Sequence, residues 1–291
     1  MLIVFEWGRL GNQLFQYAAM RVADPQGAIW AVGMPDIRQL FLCHRFYEWG
    51  DIRSTKRLVR FCIRRLIELV RCGLALLAST RIIGLIAENT GADNGGIAVR
   101  RGFLKQVYYV QLGFWQNQAV VDMASDVIPP MNPEFETKAA NIVEEIGVSK
   151  RDLYFVHIRR GDYNAWPSKE HPAIVPLRWY EQQISRIREL NPDAFFLVFS
   201  DDFWYVHDFF SGKDWARVCG EGHYIDFMLM AQCHGGGVLS ASSYAWWAAY
   251  YARRENSEAY FVAPLYWAGH RLGKWYPECI ETEWINYQPV S

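Results

Sequence analysis

The stretch Tyr154-Phe-Val-His-Ile-Arg-Arg-Gly-Asp-Tyr163 places a histidine, two arginines and an aspartate at the end of an apolar run, beside a glycine. Adjacent guanidiniums repel each other unless a strong anion lies between them, and their planar forks match phosphate or carboxylate oxygens. Leu153 to Ile158 reads as a strand buried on both faces. At the carboxyl end of such a strand the usual anion is a phosphate. Strand alternation assigns His157 and Arg159 to one face and Arg160 to the other. The competing reading is a surface ion-pair cluster with nearby acids. Arg160-Gly161-Asp162 is also the integrin-recognition tripeptide, but that motif works on an exposed mobile loop, whereas this one follows a buried strand.

Two more strand ends carry polar groups. Ser200-Asp201-Asp202 follows an apolar run from Ala194, and Ser240, Ser242 and Ser243 precede a helix expected from Tyr244 to about Arg253. Ser242 or Ser243 is suited to cap that helix, whose first turn offers free N–H groups and a partial positive charge. Arginines and a serine-capped helix start together make a diphosphate site. Adjacent acids such as Asp201 and Asp202 also suit Mg²⁺ or Mn²⁺. The arginine pair can neutralise a diphosphate without a cation, so hydrogen bonding to a nucleotide or a local turn role is preferred to metal ligation. Gly8-Arg-Leu-Gly11-Asn12 lacks the spacing of a dinucleotide fingerprint. Asn12 either caps a helix from Gln13 or sits where backbone approaches a ligand closely.

The elements that must position these residues repeat one grammar: apolar run, short turn, helical pattern. It occurs at Leu2–Ala23, Leu153–Leu190, Ala194–Asp202 and Gly237–Arg253. Strands alternating with helices predict parallel sheets covered on both faces. The prolines at 129, 130 and 133, ahead of a helix from Glu134 to Ile146, mark a domain junction. The expected class is α/β, with Rossmann-like domains over 1–145 and 146–291 facing a cleft, the usual place for a ligand.

The 291 residues suffice for two domains of roughly 150 residues each, and 51% apolar content supplies their cores. A formal net charge of -1 gives no case for nucleic-acid binding by the whole chain. Six cysteines without CxxC or metal-ligand spacing fit reduced thiols inside a cell. The N-terminal residues lack the features of a signal peptide, so a cytoplasmic location is expected. Aromatics reach 16%, with thirteen tryptophans; flat rings serve sugar faces, and serve cores equally well. Residues 53–72 carry seven basic residues against Glu68, with apolar residues at helical spacing. This basic helix, part of an insertion near 53–87, reads as an ordinary solvated helix packed on the N-terminal domain. A peripheral membrane contact is the alternative. The following apolar run, Gly73 to Ala87, is interrupted by Arg81 and too short to span a bilayer.

Four pieces occurring in order resemble the α-1,2-fucosyltransferases of glycosyltransferase family 11. They are Gly11-Asn-Gln-Leu-Phe-Gln-Tyr-Ala18, His157-Ile-Arg-Arg-Gly-Asp-Tyr163, Phe199-Ser-Asp-Asp202 and Ser240-Ala-Ser-Ser-Tyr-Ala-Trp-Trp247. The last departs from the family pattern at Ala241, Tyr244 and Ala245. The resemblance implies a GT-B type fold or close variant and GDP-β-L-fucose as donor. It also implies transfer to the 2-hydroxyl of a terminal galactose, with inversion and no obligatory metal or other cofactor. It implies that Arg159 and Arg160 include the arginine holding the β-phosphate, that His157, Ser200, Asp201, Ser242 and Ser243 lie on the donor side, and that Asp226 lies near guanine. Asn12 matches an asparagine at the reaction centre of related protein O-fucosyltransferases. The general base stays open among Asp162, which could instead orient an arginine, and Glu170 and His171 in the following loop. Another GDP-sugar transferase, such as an O-fucosyltransferase, and a non-catalytic nucleotide-sugar-binding protein are the alternatives.

Overall fold

The computed structural model describes residues 1–49, 57–89 and 96–290, the side chain of Leu58 excepted. Arg53 and Lys56 of the basic segment lie outside the described residues. The chain divides into two compact units, Met1–Asn132 and Pro133–Ser291.

The first unit contains β1 (Leu2–Phe5), α1 (Leu10–Ala23), β2 (Ile29–Val32), α2 (Pro35–Leu40), β3 (Phe46–Trp49), α3 (Arg57–Ser79), β4 (Ile83–Asn89), β5 (Gly96–Arg100), β6 (Leu104–Val110) and α4 (Gln118–Met123). Its sheet has the order β3-β2-β1-β6-β4-β5. All of its pairs are parallel except β4 with β5. Helix α1 starts three residues before the expected Gln13, so Asn12 lies within its first turn. The apolar run after Gly73 is not one element. It finishes α3 at Ser79 and then supplies β4.

The second unit contains α5 (Pro133–Ile146), β7 (Leu153–Ile158), α6 (Leu177–Leu190), β8 (Phe195–Ser200), α7 (Phe203–Phe210), β9 (Ala216–Val218), α8 (His223–Ala231), β10 (Gly236–Val238), α9 (Ser243–Glu255), β11 (Tyr260–Pro264) and β12 (Ile285–Gln288). Its sheet, β12-β11-β10-β7-β8-β9, is parallel throughout. Every residue of β7 is buried, because helices cover both faces of a parallel sheet and leave no side for polar residues. One face packs Val156 and Ile158 against Trp179, Tyr180, Ile184 and Ile187 of α6. Helix α9 is buried from Ala245 to Ala252, and Trp246 Nε1 donates to Thr282 Oγ1 at 2.9 Å.

Strand β10 lies between β7 and β11, pairing Gly236 with both Tyr154 and Tyr260. Gly236 has φ +133, and a Cβ there would lie 1.9 Å from the Tyr260 carbonyl oxygen. That conformation is open essentially to glycine alone, and the obstacle is backbone. Gly236→Ala is expected to cost roughly 2 kcal/mol or more, seen as a lowered urea midpoint. An unchanged midpoint would contradict this account of β10.

Candidate active site

From β7 the chain passes to β8 on one side, and after β9 it returns to β10 on the other side of β7. Where strand order reverses, the loops diverge and leave a crevice outside the carboxyl ends. Residues 157–163 stand at that point, flanked by Ser200 after β8 and Ser240 after β10.

Arg159 donates through Nε and Nη2 to Asp162 Oδ1 at 2.9 and 2.7 Å, and its Nη1 lies 3.2 Å from Asp201 Oδ2. The Arg160 amide donates to Asp201 Oδ1 at 2.8 Å, and its Nε donates to Asp202 Oδ2 at 3.1 Å. The Arg160 guanidinium sits 3.4 Å over the Tyr205 ring, and that of Arg159 sits 5.6 Å from the Tyr163 ring. Asp202 also caps α7 by accepting from the Tyr205 amide. Gly161 makes room for this arrangement, since a Cβ there would fall 2.6 Å from Asp201 Oδ2. Two cations thus face three carboxylates, and the ion-pair reading describes the resting cluster. Ser200 Oγ donates to the Ile158 carbonyl at 2.8 Å and accepts from the Asp202 amide at 3.0 Å, tying the β7 and β8 ends together. The turn is braced again by Asn164 Nδ2, which donates to the Arg160 and Gly161 carbonyls.

His157 lies behind the arginines, buried. Its Nδ1 is 2.8 Å from Ser240 Oγ, and the Ser240 amide donates to the His157 carbonyl at 3.0 Å. The Tyr244 ring lies 5.7 Å away. Burial, and then the charge of Arg159, push its pKa down to about 3. This keeps the ring uncharged at the end of β7, beside Ser240.

Ser242 holds the N-cap position of α9 but makes no side-chain capping bond, contrary to the expected serine cap. The helix opens instead with the Ser242 carbonyl accepting from the Trp246 amide at 2.9 Å. Ser243 is the first residue of α9, and the Tyr163 hydroxyl donates to the Ala241 carbonyl at 2.6 Å, linking the arginine turn to the start of that helix. Asp226, in the first turn of α8, accepts from the Glu221 amide at 3.0 Å, and burial raises its pKa to about 6. Glu170 and His171 are exposed on the loop closed by the Pro167–Pro172 bridge. Among the described residues no hydrogen bond or ion pair joins either to the arginines. Hydrogen bonds to its own backbone and to Ser168 hold the Glu170 carboxyl below its ordinary pKa.

In the first unit the strand order reverses between β1 and β6. Asn12 is not a cap: its Oδ1 accepts from Gln116 Nε2 at 2.7 Å, joining the two carboxyl ends. Gly8, at φ +84, must lack a side chain, since a Cβ would lie 2.2 Å from Asn12 Nδ2. Buried Gln16 donates to the Trp7 and Gly113 carbonyls, each at 3.2 Å. Sequence reading missed Gln16, Gln116 and Tyr205. Tyr205 had a local signal, standing three residues after Asp202 at a helix start. Gln116 had none, because its partner lies 104 positions away.

Unfolding restores His157 toward its ordinary pKa of 6.5. Between about pH 6.5 and 3 the unfolded chain binds the extra proton, so this group's contribution to stability falls as pH drops through that window. Asp226, with a raised pKa, acts in the opposite direction between 3.8 and about 6. The clean measurement is therefore the stability difference between the native chain and His157→Gln. That difference should shrink toward low pH with a slope approaching about 1.4 kcal/mol per pH unit. A pH-independent difference would show that His157 is not held neutral by burial.

The sequence profile of Glycosyl transferase family 11 matches residues 96–286. The chain is 25% identical over 312 aligned residues to the O-antigen biosynthesis glycosyltransferase WbnK of Escherichia coli, covering 96% of this chain and 98% of that one. It is 27% identical over 190 residues to an alpha-1,2-colitosyltransferase of Escherichia coli, covering 61% and 62% of the two chains. Among solved structures, a glycosyl transferase family 9 protein from Veillonella parvula superposes with TM-score 0.51 at 12% identity, over 90% of this chain and 80% of that one. The fucosyltransferase NodZ from Bradyrhizobium gives TM-score 0.47 at 14% identity, over 87% and 91%. Two α/β units built on parallel-rich sheets make a fold of GT-B type. With the profile spanning most of the chain, including the arginine turn and both flanking strand ends, this protein belongs to glycosyltransferase family 11.

Proposed function

We propose that this chain is a galactoside α-1,2-fucosyltransferase, moving L-fucose from GDP-β-L-fucose to the 2-hydroxyl of a terminal galactose without an obligatory metal. The acceptor oxygen attacks the anomeric carbon from the side opposite the diphosphate. The bond from that carbon to the β-phosphate oxygen breaks, its electron pair leaves with GDP, and the configuration inverts. The observation that carries this reading is the pair Arg159 and Arg160 fixed side by side at the reversal point of a parallel sheet. Charge grows on the departing phosphate, and guanidiniums already oriented stabilise it without reorganising.

Asp162 must then yield. Its side chain is 57% exposed, and an exposed pair is worth only about 0–1 kcal/mol. A diphosphate offering several charge-assisted bonds replaces it on Arg159, while Asp201 and Asp202 keep both guanidiniums aimed. Asp162 thereby serves as a resting partner for Arg159, and it becomes free to accept a proton when GDP-fucose binds. Glu170, whose carboxyl pKa is held below its ordinary value by its own backbone and Ser168, is weakened as a base relative to a free glutamate. Asp226 and Ser243 stand at helix starts that suit the guanine and phosphate ends of the nucleotide. On the acceptor side, Asn12 and the exposed Trp7 ring adjoin the end of β1. Trp7 lies 6.4 Å from the tilted Phe114 ring, and its exposed indole face is of the kind that the apolar side of galactose covers. A colitosyl donor is the second reading, favoured by the alpha-1,2-colitosyltransferase among the relatives.

The experiment incubates purified protein with GDP-fucose, or the corresponding nucleotide-linked colitose, and with lactose, N-acetyllactosamine or type-1 chains. Each arm is run with and without EDTA, and the product linkage is read by NMR. An α-1,2-linked fucosyl product formed equally in EDTA is the expected result; GDP binding without turnover on any acceptor would leave only a binding protein. Arg159→Ala and Arg160→Ala should each lower turnover about 10²–10³-fold with the melting temperature kept, and near-normal turnover in both would end the phosphate assignment. Trp7→Ala should raise KM for the acceptor several-fold while GDP affinity stays unchanged. A change confined to GDP affinity would move Trp7 off the acceptor side.

A further inference from the structure

Helix α3 is apolar on both its inner and its outward side. Its inner row, Ile67, Leu74, Ala75 and Ala78, packs with Phe5, Ile83 and Tyr109. Its outward row exposes Phe61, Leu66, Leu69 and Leu76, with Leu69 71% and Leu76 65% exposed. A helix resting on a protein and facing water presents mainly polar residues there; here exposed Phe61 and leucines stand beside exposed Arg57, Arg64, Arg65 and Glu68.

The apolar surface continues past the helix. The amides of Phe103 and Leu104 donate to the Arg81 and Ile82 carbonyls at 2.7 and 2.8 Å, and Arg100 Nη2 donates to the Ala78 carbonyl at 2.7 Å. These bonds seat the turn before β6 against the end of α3. Phe103, 84% exposed, and the exposed Leu104 and Ile82 extend the patch. Charge around it has one sign. Residues 57–82 and 96–105 hold nine arginines and lysines and a single acid, Glu68, which is already paired with Arg71. Arg57, Arg64, Arg65, Arg81, Arg101 and Lys105 are exposed.

We propose that this face of the first unit docks on an anionic lipid bilayer. Helix α3 lies in the membrane plane, its outward apolar row and Phe103 enter the boundary between headgroups and acyl chains, and the arginines meet lipid phosphates. Charge selects this occupant. A second copy would bring the same cationic rim against itself, whereas anionic lipid supplies the opposite charge and an apolar layer together. No described helix is long and apolar enough to cross a membrane, which leaves α3 on the surface. The inference rests on the first unit alone and is independent of which donor the enzyme uses.

The test is flotation of the full chain with vesicles of phosphatidylcholine mixed with phosphatidylglycerol, and with phosphatidylcholine alone. Binding is expected on the mixed vesicles only and should weaken at high salt. Each basic residue near an anionic surface is worth roughly fivefold in partition, so Arg64→Gln with Arg65→Gln should lower binding about 25-fold. Leu69→Ser with Leu76→Ser, and separately Phe103→Ser, should also reduce flotation. GDP binding and the melting temperature, kept in all variants, show that folding is intact. Absent flotation, equal flotation on both compositions, or a solution dimer that dissociates on Leu69→Ser would each overturn the proposal, the last assigning this face to a second copy.

Discussion

Like charges held within one turn of chain need compensation, and the end of β7 shows how this protein supplies it. Arg159 and Arg160 stay adjacent because Asp162, Asp201 and Asp202 divide their guanidiniums among three carboxylates, and Tyr163 and Tyr205 offer ring faces to the same cations. Asp201 is decisive because it binds both the side chain of Arg159 and the amide of Arg160. It can do so only because β8 pairs in register with β7, setting Ser200 opposite Ile158, and because Gly161 leaves space for its carboxylate. The site is therefore a property of two neighbouring strands, with its electrostatic balance set before any ligand arrives.

Both units use the same device. A parallel sheet must bury both faces, so polar residues collect where strands end, and a reversal of strand order leaves room there for a ligand. In the second unit the reversal presents cations. In the first it presents neutral amides: Asn12 with Gln116, and Gln16 bridging the loops after β1 and β6. A cationic strand end suits an anion, while neutral amides offer hydrogen bonds without charge.

Helix α3 answers to a different constraint. It contributes a row of small and branched side chains to the first unit's core while displaying apolar groups outward, and burial inside this chain explains only the inner row. Composition alone would not have separated the two rows, because both are apolar.

Periodicity made much of this legible. Strands β1, β7 and β8 and helices α5 and α6 follow from apolar runs and 3.6-residue spacing, since those patterns report local backbone preference and the need for a covered face. The arginine turn stood out because two guanidiniums in succession are chemically conspicuous. Other features were fixed only by tertiary contact. Ser242 looks like a cap and makes no capping bond. Asn12 looks like a cap and instead accepts from Gln116. His157, expected on the donor side, is a buried ring whose Nδ1 lies 2.8 Å from Ser240 Oγ. The Asn12 and His157 outcomes depend on partners 104 and 83 positions away, and Asn12 also on a helix that starts three residues early. By itself the sequence determined which groups reach the strand ends, because alternation and hydrophobic burial act along the chain. Which of those groups are neutralised, tied to the backbone or left exposed was decided by the pairing of strands, because charge and hydrogen bonding act through space.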